Sequence, residues 1–384
     1  MINAFNGTYS FLSNYYECPV TVDGITFRNS EAAFQAQKAA EPALRREFAD
    51  LSPDAAKSRG RAVNLRSDWE KIKVKEMYRV CRAKFEQNPA LCEKLIETGH
   101  EELIEGNDWG DVFWGMGDGT GENYLGRILM QIRNEFRGFD AAETAEKIIG
   151  WIKAYFDRNA SLDTKAVIGI SGGKDSSVAA ALCKQALGKD RILGVLMPQG
   201  IQSDIDCSRL LVNTLEIPCM EVNIQPAYMG LMTELEKQTE ISQQAKINTP
   251  ARLRMTVLYA AAACIGGRVV NTCNLSEDWV GYATKFGDSA GDFSPLSDLT
   301  VTEVVGIGDY LGLPYRLVHK TPIDGLCGKT DEENLGFTYA QLDDYIRGFT
   351  DLSDKPELKA KIDRMYRASR HKLEPMPRFL ADIY

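Results

Sequence analysis

Apolar residues recur with helical spacing on both sides of a short connection that contains a glycine. Between residues 123 and 136 they fall every three or four positions, and the same spacing returns between residues 140 and 156, which predicts two amphipathic helices. The connection, residues 137–139, is short. We therefore predict two closely joined domains, residues 1–138 and residues 139–384.

After residue 165 the pattern changes to short β-rich apolar runs separated by helical stretches. The runs lie at residues 165–170, 192–198 and 268–274, and a helix is predicted from Ser176. This alternation requires βαβ crossovers, so the predicted fold class is α/β, with a doubly wound parallel sheet in the second domain. The first domain is predicted to be mainly α, of the α+β type.

Local signals predict where three further helices begin. One is entered through Ser30, a residue type favoured at the N-cap, and a long one begins at Asp68-Trp69. Pro250 suits the first position of the third, because proline there loses no helical hydrogen bond.

The composition is that of a globular protein. The 384 residues are 44% apolar and carry 54 acidic against 45 Lys and Arg side chains, for a formal net charge of −9. This balance argues against a broad basic face for nucleic acid. No apolar run approaches the roughly 18 residues of a membrane span, and the N-terminus lacks a basic segment followed by an apolar run. We therefore predict a cytoplasmic protein with no membrane partner.

Nine cysteines are scattered without CxxC pairs or His-rich spacing. Their odd number and spacing favour reduced, buried thiols over a disulfide framework or a zinc site.

A loop rich in glycine and serine joins the first predicted strand of the second domain to the following helix. Backbone N–H groups, the helix N-terminus and serine hydroxyls in such a loop bind phosphate. The loop is not a Walker A motif, because Asp175 stands where that motif has Ser or Thr. A carboxylate in a phosphate site requires a bridging cation, so Asp175 is a candidate Mg²⁺ ligand. The predicted phosphate-binding residues are Gly169, Ile170, Ser171, Gly172, Gly173, Lys174, Asp175 and Ser176.

A second carboxylate, Glu277, follows the predicted strand at residues 268–274 as Asp175 follows the strand at residues 165–170. Both belong at the carboxyl edge of a parallel sheet, where open α/β folds bind their ligands. The pair is therefore predicted to hold Mg²⁺ on a bound phosphate chain.

The pattern SGGxDS at residues 171–176 resembles the pyrophosphate-binding loop of the N-type ATP pyrophosphatases. Downstream motifs, in the same order and spacing, narrow the resemblance to the ammonia-dependent NAD synthetases, from about residue 145 to the C-terminus. These motifs are NTPARLRM (248–255), NTCNLSE (271–277), GYATKFGD (281–288), DFSPL (292–296), KTDEENLG (329–336) and HK (371–372).

This resemblance implies a two-step reaction. The nicotinate carboxylate of nicotinic acid adenine dinucleotide attacks the α-phosphorus of ATP, and ammonia then displaces AMP to give NAD. The implied cofactors are ATP and Mg²⁺, and a homodimer is expected. Thr272 and the phosphate loop would bind ATP, and Asp288 would orient ammonia or accept its proton. The residues implied to bind the dinucleotide are Arg252, Lys285, Asp292, His371 and Lys372.

Two residues depart from the family pattern at positions that contact ATP in its members. Val301 replaces a Lys, and Ile323 replaces a Ser or Thr; an aliphatic side chain supplies neither a charge nor a hydroxyl. Lys174 is a candidate replacement for the missing charge. Two alternatives therefore stay open, namely a synthetase that amidates a different acid and a degenerate nucleotide sensor.

The first domain carries a different set of motifs. SEAAFQAQK (30–38), Asp68-Trp69, DVFWGMGDGTGENYLG (111–126) and LMQIR (129–133) resemble the NADAR family, which includes N-glycosidases of riboflavin-pathway intermediates and enzymes that remove ADP-ribose from guanine. The resemblance implies Glu31, Trp69 and Asp111 as the catalytic set. It also implies that Trp114 and Asn123 line the pocket.

The residue types suit this chemistry. Cleavage of an N-glycosidic bond builds positive charge on the sugar, which one carboxylate stabilises while another moves a proton or activates water. The expected ligand is a ribosylated small molecule or an ADP-ribosylated base, and binding without cleavage stays open. The whole chain is thus predicted to be bifunctional, and we hypothesise that one half clears damaged or ADP-ribosylated species while the other restores NAD.

Overall fold

The computed structural model describes residues 1–117, 119–202, 204–320 and 330–379. The chain divides into two compact units, Met1–Ala141 and Ala142–Tyr384. None of the helices in the described ranges combines the length and the apolar character needed to cross a membrane.

In its described part, the first unit packs five helices against one antiparallel hairpin. Side chains alternate along the first hairpin strand, with Cys18, Val20 and Val22 buried, and this buried face joins Phe27 and Leu129 in one core. The predicted α+β class is confirmed. The elements are β1 (Glu17–Val22), β2 (Ile25–Asn29), α1 (Ser30–Ala36), α2 (Pro53–Ala62), α3 (Trp69–Gln87), α4 (Pro89–Glu97) and α5 (Tyr124–Phe136), with 3₁₀ turns at Gly7–Leu12 and Pro42–Phe48.

The prediction that Ser30 caps α1 is wrong by one residue. Asn29 is the N-cap, and its side chain accepts a hydrogen bond from the Ala32 backbone N–H at 2.8 Å. Both residue types cap helices well, so residue type does not decide where the helix begins. Asn29 still pairs with Glu17 in the hairpin and is extended, and the helix therefore begins only at the next residue.

The second unit is built on a four-stranded parallel sheet with the order β5-β4-β3-β6, and helices α7 and α10 both pack on β3. The predicted doubly wound fold is confirmed. The strands are β3 (Ala166–Gly169), β4 (Ile192–Leu196), β5 (Cys219–Glu221) and β6 (Arg268–Val269). The helices are α6 (Ala141–Asn159), α7 (Lys174–Leu187), α8 (Ile205–Leu215), α9 (Gln225–Glu236), α10 (Gln243–Ile265), α11 (Leu275–Val280), α12 (Val301–Tyr310), α13 (Tyr315–Val318), α14 (Asp331–Leu335), α15 (Tyr339–Ile346) and α16 (Pro356–Leu373), with a 3₁₀ turn at Lys189–Arg191.

The strand order fixes where a ligand binds. From β3 the chain builds outward through β4 to β5, and then returns to the other side of β3 to form β6. The order therefore reverses at β3, and ligands of open α/β sheets bind at the carboxyl ends of the strands beside such a reversal. The phosphate loop, residues 170–173, begins at this point.

Two local predictions in this unit are wrong. The strand predicted at residues 268–274 ends after Val269, because Asn271 accepts from the Cys273 N–H and Asn274 caps α11. Helix α10 begins at Gln243, so Pro250 lies inside it. Residue type favoured the first turn, because proline inside a helix removes a backbone hydrogen bond, and α10 lacks that bond at Pro250.

The eight described cysteines are free thiols. Most are buried or half-buried, as predicted, but Cys219 and Cys264 are exposed.

Candidate functional sites

Close packing against α8 shapes the phosphate loop. Gly172 has a φ of +79°, and a Cβ there would lie 2.7 Å from both Cys207 Cβ and the Ser208 backbone nitrogen. Ser208 Oγ also donates to the Ile170 carbonyl at 3.1 Å. Only glycine satisfies both the backbone angle and the available space.

The serine hydroxyls hold this loop against the start of α7. Ser171 Oγ and Ser176 Oγ lie 3.0 Å apart, and Ser171 Oγ accepts from the Gly173 N–H at 3.3 Å. Ser176 and Ser177 both donate to the Gly173 carbonyl. The hydroxyls predicted to bind phosphate therefore also fix the loop in which the backbone N–H groups lie.

The structure brings the two predicted metal ligands together. Asn274 donates to Asp175 Oδ1 at 2.9 Å and accepts from the Glu277 N–H at 3.0 Å. Lys174 Nζ lies 3.0 Å from Asp175 Oδ2 and 3.9 Å from Glu277 Oε1. Burial and the Asp175 charge raise the pKa of Glu277 above its usual value, against the opposing effect of Lys174.

This carboxylate pair suits Mg²⁺ that arrives on phosphate. Mg²⁺ commonly takes one or two protein carboxylates and completes its shell with phosphate oxygens and water. Within the described residues no group of three or more His, Cys, Asp or Glu side chains is placed to hold a metal. Thr272, predicted to bind ATP, is half-buried in the connection from β6 to α11.

A second cluster, formed by residues predicted to bind the acid substrate, joins α10, the loop at residues 281–288 and α16. Arg252 donates to the Lys285 carbonyl at 3.4 Å, and Lys285 Nζ donates to the His371 carbonyl. Lys372 Nζ donates to the carbonyls of Gly281 and Ala283 at 2.6 and 3.0 Å. The structure therefore brings Arg252, Lys285, His371 and Lys372 together, and their binding of the dinucleotide stays a prediction.

The two remaining predicted residues of this half make backbone contacts. Asp288 is exposed, and its Oδ1 accepts from the Thr284 N–H at 2.7 Å. Asp292 Oδ2 accepts from the Val269 N–H at 2.7 Å, so this carboxylate ties the end of β6.

Phe286 was missed by sequence reasoning. Its side chain is 56% exposed, and its φ is +60°, a conformation that bulky residues adopt rarely and mostly where function requires it. Lys285 Nζ lies 5.3 Å from the Phe286 ring centroid. The sequence signal that could have identified Phe286 is an aromatic residue followed by glycine in a polar loop.

In the first unit, Glu31 is 7% exposed on α1 and accepts a hydrogen bond from Gln35 Nε2 at 2.8 Å. Burial raises its pKa, while Gln35, Lys57 and Lys38 act in the opposite direction. This carboxylate is therefore a buried acid close to cations.

The loop after residue 105 positions Asp111. Asp111 Oδ1 accepts from the backbone N–H groups of Phe113 and Trp114 at 3.0 and 2.9 Å. The Asn107 side chain bonds both the Asp111 N–H and its carbonyl at 2.9 Å. The backbone around this carboxylate is thus held from both sides.

Glu105 is a third acid here, and sequence reasoning missed it. Burial and the charge of Asp111 raise its pKa to about 7, and Glu31 acts in the same direction. A Cβ on Gly115 would lie 3.1 Å from Glu105 Cγ, so the loop packs directly on this side chain. Nothing in the residue pattern marks Glu105, because its raised pKa depends on burial and on the charge of Glu31, which lies far away in the chain, as well as on Asp111.

Asn123, predicted to line the pocket, is fully buried. Its Oδ1 accepts from the Glu105 N–H at 3.0 Å, and its Nδ2 donates to the Leu103 carbonyl at 2.9 Å. These bonds account for its burial and hold the main chain that carries Glu105.

Aromatic residues lie on the elements that carry these acids: Phe34 shares α1 with Glu31, and the Trp114 N–H binds Asp111. The ring centroids of Trp69 and Trp114 lie 5.3 and 5.4 Å from that of Phe34, and Trp69 is only 5% exposed. Lys38 Nζ lies 5.8 Å from the Trp69 ring centroid, and Lys57 Nζ lies 5.9 Å from that of Trp109. The site therefore combines acids, flat rings and cations.

Comparison with known proteins accounts for both halves of the chain. The family model for NAD synthase matches residues 144–376, which is more than half of the chain. The chain belongs to the NAD synthase family. The model for the NADAR domain matches residues 3–137, so a NADAR domain precedes the synthetase domain. Both resemblances are confirmed.

Relatives of known structure or curated function cover the synthetase domain. The NH(3)-dependent NAD(+) synthetase of Thermococcus sibiricus is 38% identical over 225 residues, 58% of this chain and 86% of the relative. An NMN synthetase from Francisella tularensis is 33% identical, with a TM-score of 0.56, covering 63% of this chain and 100% of that one. An NAD+ synthetase from Burkholderia pseudomallei is 30% identical, with a TM-score of 0.52, covering 61% and 90%.

Of the two residues that depart from the family pattern, the structure describes one. Val301 is the first residue of α12; its N–H donates to Ser276 Oγ at 3.0 Å, and its side chain packs against the core around Leu342. Ile323 lies outside the described residues.

Proposed function

We propose that the NAD synthase domain amidates nicotinic acid adenine dinucleotide with ammonia and ATP, releasing NAD, AMP and pyrophosphate. The observation that carries this proposal is the meeting of Asp175 and Glu277 beside the phosphate loop, where the strand order reverses. A phosphate loop with a carboxylate pair suits the cleavage of ATP, because the two carboxylates would hold Mg²⁺ and the metal would neutralise charge on the departing pyrophosphate.

In the first step the nicotinate carboxylate attacks the α-phosphorus, and the bond to pyrophosphate breaks. The N-terminus of α7 and the loop N–H groups stabilise the charge that moves onto the leaving phosphates. Asp175 and Glu277 would hold Mg²⁺, which supplies further charge neutralisation when bound. Thr272, near the end of β6, is proposed to contact the nucleotide.

In the second step ammonia attacks the acyl carbon, AMP leaves and one proton is lost. Asp288 is proposed to orient ammonia or take this proton, because its exposed carboxylate lies in the loop that also carries Lys285. Phe286 offers an exposed ring for the flat nicotinyl group. The proposed anion contacts are Arg252, Lys285, His371 and Lys372, and Asp292 is proposed to bind the dinucleotide.

A second candidate substrate is nicotinic acid mononucleotide. The relative with a TM-score of 0.56 is described as an NMN synthetase, so its product lacks the adenylyl half of NAD. The two acids share the nicotinyl group, and the reaction at their carboxylate is the same.

The test is conversion of each acid by the full chain with ATP, Mg²⁺ and ammonium, with NAD and NMN separated by mass spectrometry. We expect NAD, and we expect Asp175→Ala and Glu277→Ala to abolish it. Asp190→Ala is the matched control, because this exposed carboxylate precedes β4 at the opposite edge of the sheet. Faster NMN formation would favour the mononucleotide. ATP binding without turnover of either acid would favour a sensor.

We also propose that the synthetase domain forms a homodimer. Helices α9 and α10 expose the apolar side chains Met229, Leu231, Leu235 and Ile247, which a second copy would cover. Light scattering after size exclusion tests this, and a monomer at all concentrations would refute it.

For the NADAR domain we propose hydrolysis of an N-glycosidic bond in a phosphorylated, ribosylated substrate. The bond from the base nitrogen to C1′ breaks, water supplies a hydroxyl to C1′, and the base takes a proton. Glu31 and Asp111 are proposed to stabilise the positive charge on the sugar and to activate water. Glu105, which is part-protonated near neutral pH, is proposed to protonate the base.

The surroundings of these acids support a flat, anionic ligand. The half-buried Trp114 offers a face or an edge to a base, and Lys38 and Lys57 lie close enough to oppose the Glu31 charge. Cations close to the acids suit the phosphate group of a sugar phosphate. Binding without cleavage is the second candidate, since Trp69 is almost fully buried.

The test offers a riboflavin-pathway ribosylamine phosphate and ADP-ribosylated guanine to the full chain, and measures the released base. Release that Glu31→Gln or Asp111→Asn abolishes supports the proposal, and Glu93→Gln, an exposed acid on α4, is the control. Binding without release would favour the second candidate. If the full chain neither binds these substrates nor releases a base from them, the hypothesis that this half clears species from which the other restores NAD is lost as well.

A further inference from the structure

A buried cation directly follows the phosphate loop, at the point where the two proposed metal ligands come together. The Lys174 side chain is 5% exposed, and its Nζ lies 3.0 Å from Asp175 Oδ2 and 3.9 Å from Glu277 Oε1. A buried ammonium requires anionic partners, because it has lost its water. These two carboxylates supply them.

The carboxylates are fixed in this arrangement. Asn274 is fully buried, and it joins Asp175 Oδ1 to the backbone of Glu277 through hydrogen bonds of 2.9 and 3.0 Å. Lys174 is itself the first residue of α7. The lysine ammonium and a divalent cation would therefore use the same side of the same carboxylates.

We propose that Lys174 is a resident cation that competes with Mg²⁺ for Asp175 and Glu277, so that the metal enters only together with the phosphates of ATP. With both carboxylates ionised, the ammonium lowers the charge of the pair from −2 to −1, which attracts a free divalent cation less than the bare pair would. The charge of Asp331, which also acts on Lys174 and Glu277, is present in both cases. An incoming metal–phosphate complex brings anionic oxygens, and these become new partners for the ammonium. The proposal rests on the proposed function in that ATP is the ligand.

Tyr339 gives the displaced ammonium a further partner. This side chain is 4% exposed, and its ring centroid lies 5.8 Å from Lys174 Nζ. Among the described residues its buried hydroxyl has no hydrogen-bond partner, although buried hydroxyls are generally paired. A hydroxyl and a ring face beside the ammonium are both suited to receive a cation.

The experiment titrates the full chain with Mn²⁺, which takes the same oxygen ligands as Mg²⁺, and counts free Mn²⁺ by electron paramagnetic resonance. We compare wild type with Lys174→Met, which keeps the unbranched side chain, one atom shorter, without the charge, and with Lys174→Arg, which keeps the charge. Without nucleotide, Lys174→Met is expected to bind Mn²⁺ about tenfold more tightly than the other two, since a neighbouring positive charge is gone. With a non-hydrolysable ATP analogue, the order is expected to reverse.

Two further variants make the result specific to this site. Asp175→Asn added to Lys174→Met should remove the gained Mn²⁺ binding, and Tyr339→Phe should weaken only the binding seen with the ATP analogue. Equal Mn²⁺ affinity in wild type and Lys174→Met, with both folded by circular dichroism, would overturn the proposal, as would gained binding that survives Asp175→Asn. These titrations contain no acid substrate, so a failure of the amidation reaction is read separately from a failure of the competition.

Discussion

The fully buried lysine of the NADAR domain offers the sharpest test of the structure by stability. Lys84 is 1% exposed on α3, and its Nζ donates to the Ser13 carbonyl at 2.8 Å. Burial lowers its pKa from 10.5 to about 8, against the opposing effect of Cys18 and Cys81. A difference of this size corresponds to about 3 kcal/mol against the charged form in the folded protein.

The sign follows from proton linkage. Below pH 8 both the folded and the unfolded chain hold the proton, so the folded chain bears the full penalty. Between pH 8 and pH 10.5 the folded chain releases the proton first, and its stability rises. Lys84→Met removes the penalty together with the Lys84 hydrogen bond to the Ser13 carbonyl, which keeps its bond from the Tyr16 N–H at 3.2 Å, so the lost bond costs about 1–1.5 kcal/mol. The variant is therefore expected to be as stable as wild type, or more so, at pH 7, and less stable at pH 10.

The assay is urea unfolding followed by tryptophan fluorescence. Trp151 and Trp279 belong to the second unit, and replacing both by Phe in every protein leaves only first-unit tryptophans as reporters. The difference in unfolding free energy between variant and wild type should change by about 2 kcal/mol between pH 7 and pH 10. Lys75→Met, at an exposed position of α3, is the control and should show no such change. A Lys84→Met difference that is equal at both pH values would refute the reasoning.

Three further substitutions test the two sites. Gly172→Ala places a Cβ against α8 at a φ of +79°. We expect stability, measured by thermal melting, to fall by about 2 kcal/mol or more, and ATP affinity, measured by calorimetry, to fall as well. Gly150→Ala, with open space around it, should lower neither. Glu105→Gln should lower the rate of base release. In wild type this rate should fall above about pH 7, because Glu105 loses its proton there, and the variant should lack this fall. A variant whose rate still falls above pH 7 would exclude Glu105 as the acid. Asn274→Ala removes the N-cap of α11 and the bond to Asp175, so we expect about 1 kcal/mol lower stability and weaker Mn²⁺ binding with nucleotide; unchanged binding would show that Asn274 does not position the carboxylate.

Predictions that depended on neighbouring residues in the chain were the most successful. The phosphate loop follows a strand and opens a helix, and its glycines and serines act on one another within a few residues. Asp175 and Glu277 meet because each follows a parallel strand, and the carboxyl ends of parallel strands share one edge. The helix start at Ser30 and the helix position of Pro250 were wrong because neighbouring backbone, and not residue type, decided them.

By itself, then, the sequence determined the α/β alternation, the phosphate loop and the membership of both halves in their families, since each depends on short-range patterns and their order. Only the tertiary structure brought Glu105 within range of the Glu31 charge, and Lys174 close to Glu277 as well as to its neighbour Asp175. Burial and the charge of distant residues set the pKa of these groups. Such effects depend on which side chains approach through space, and no spacing along the chain records that.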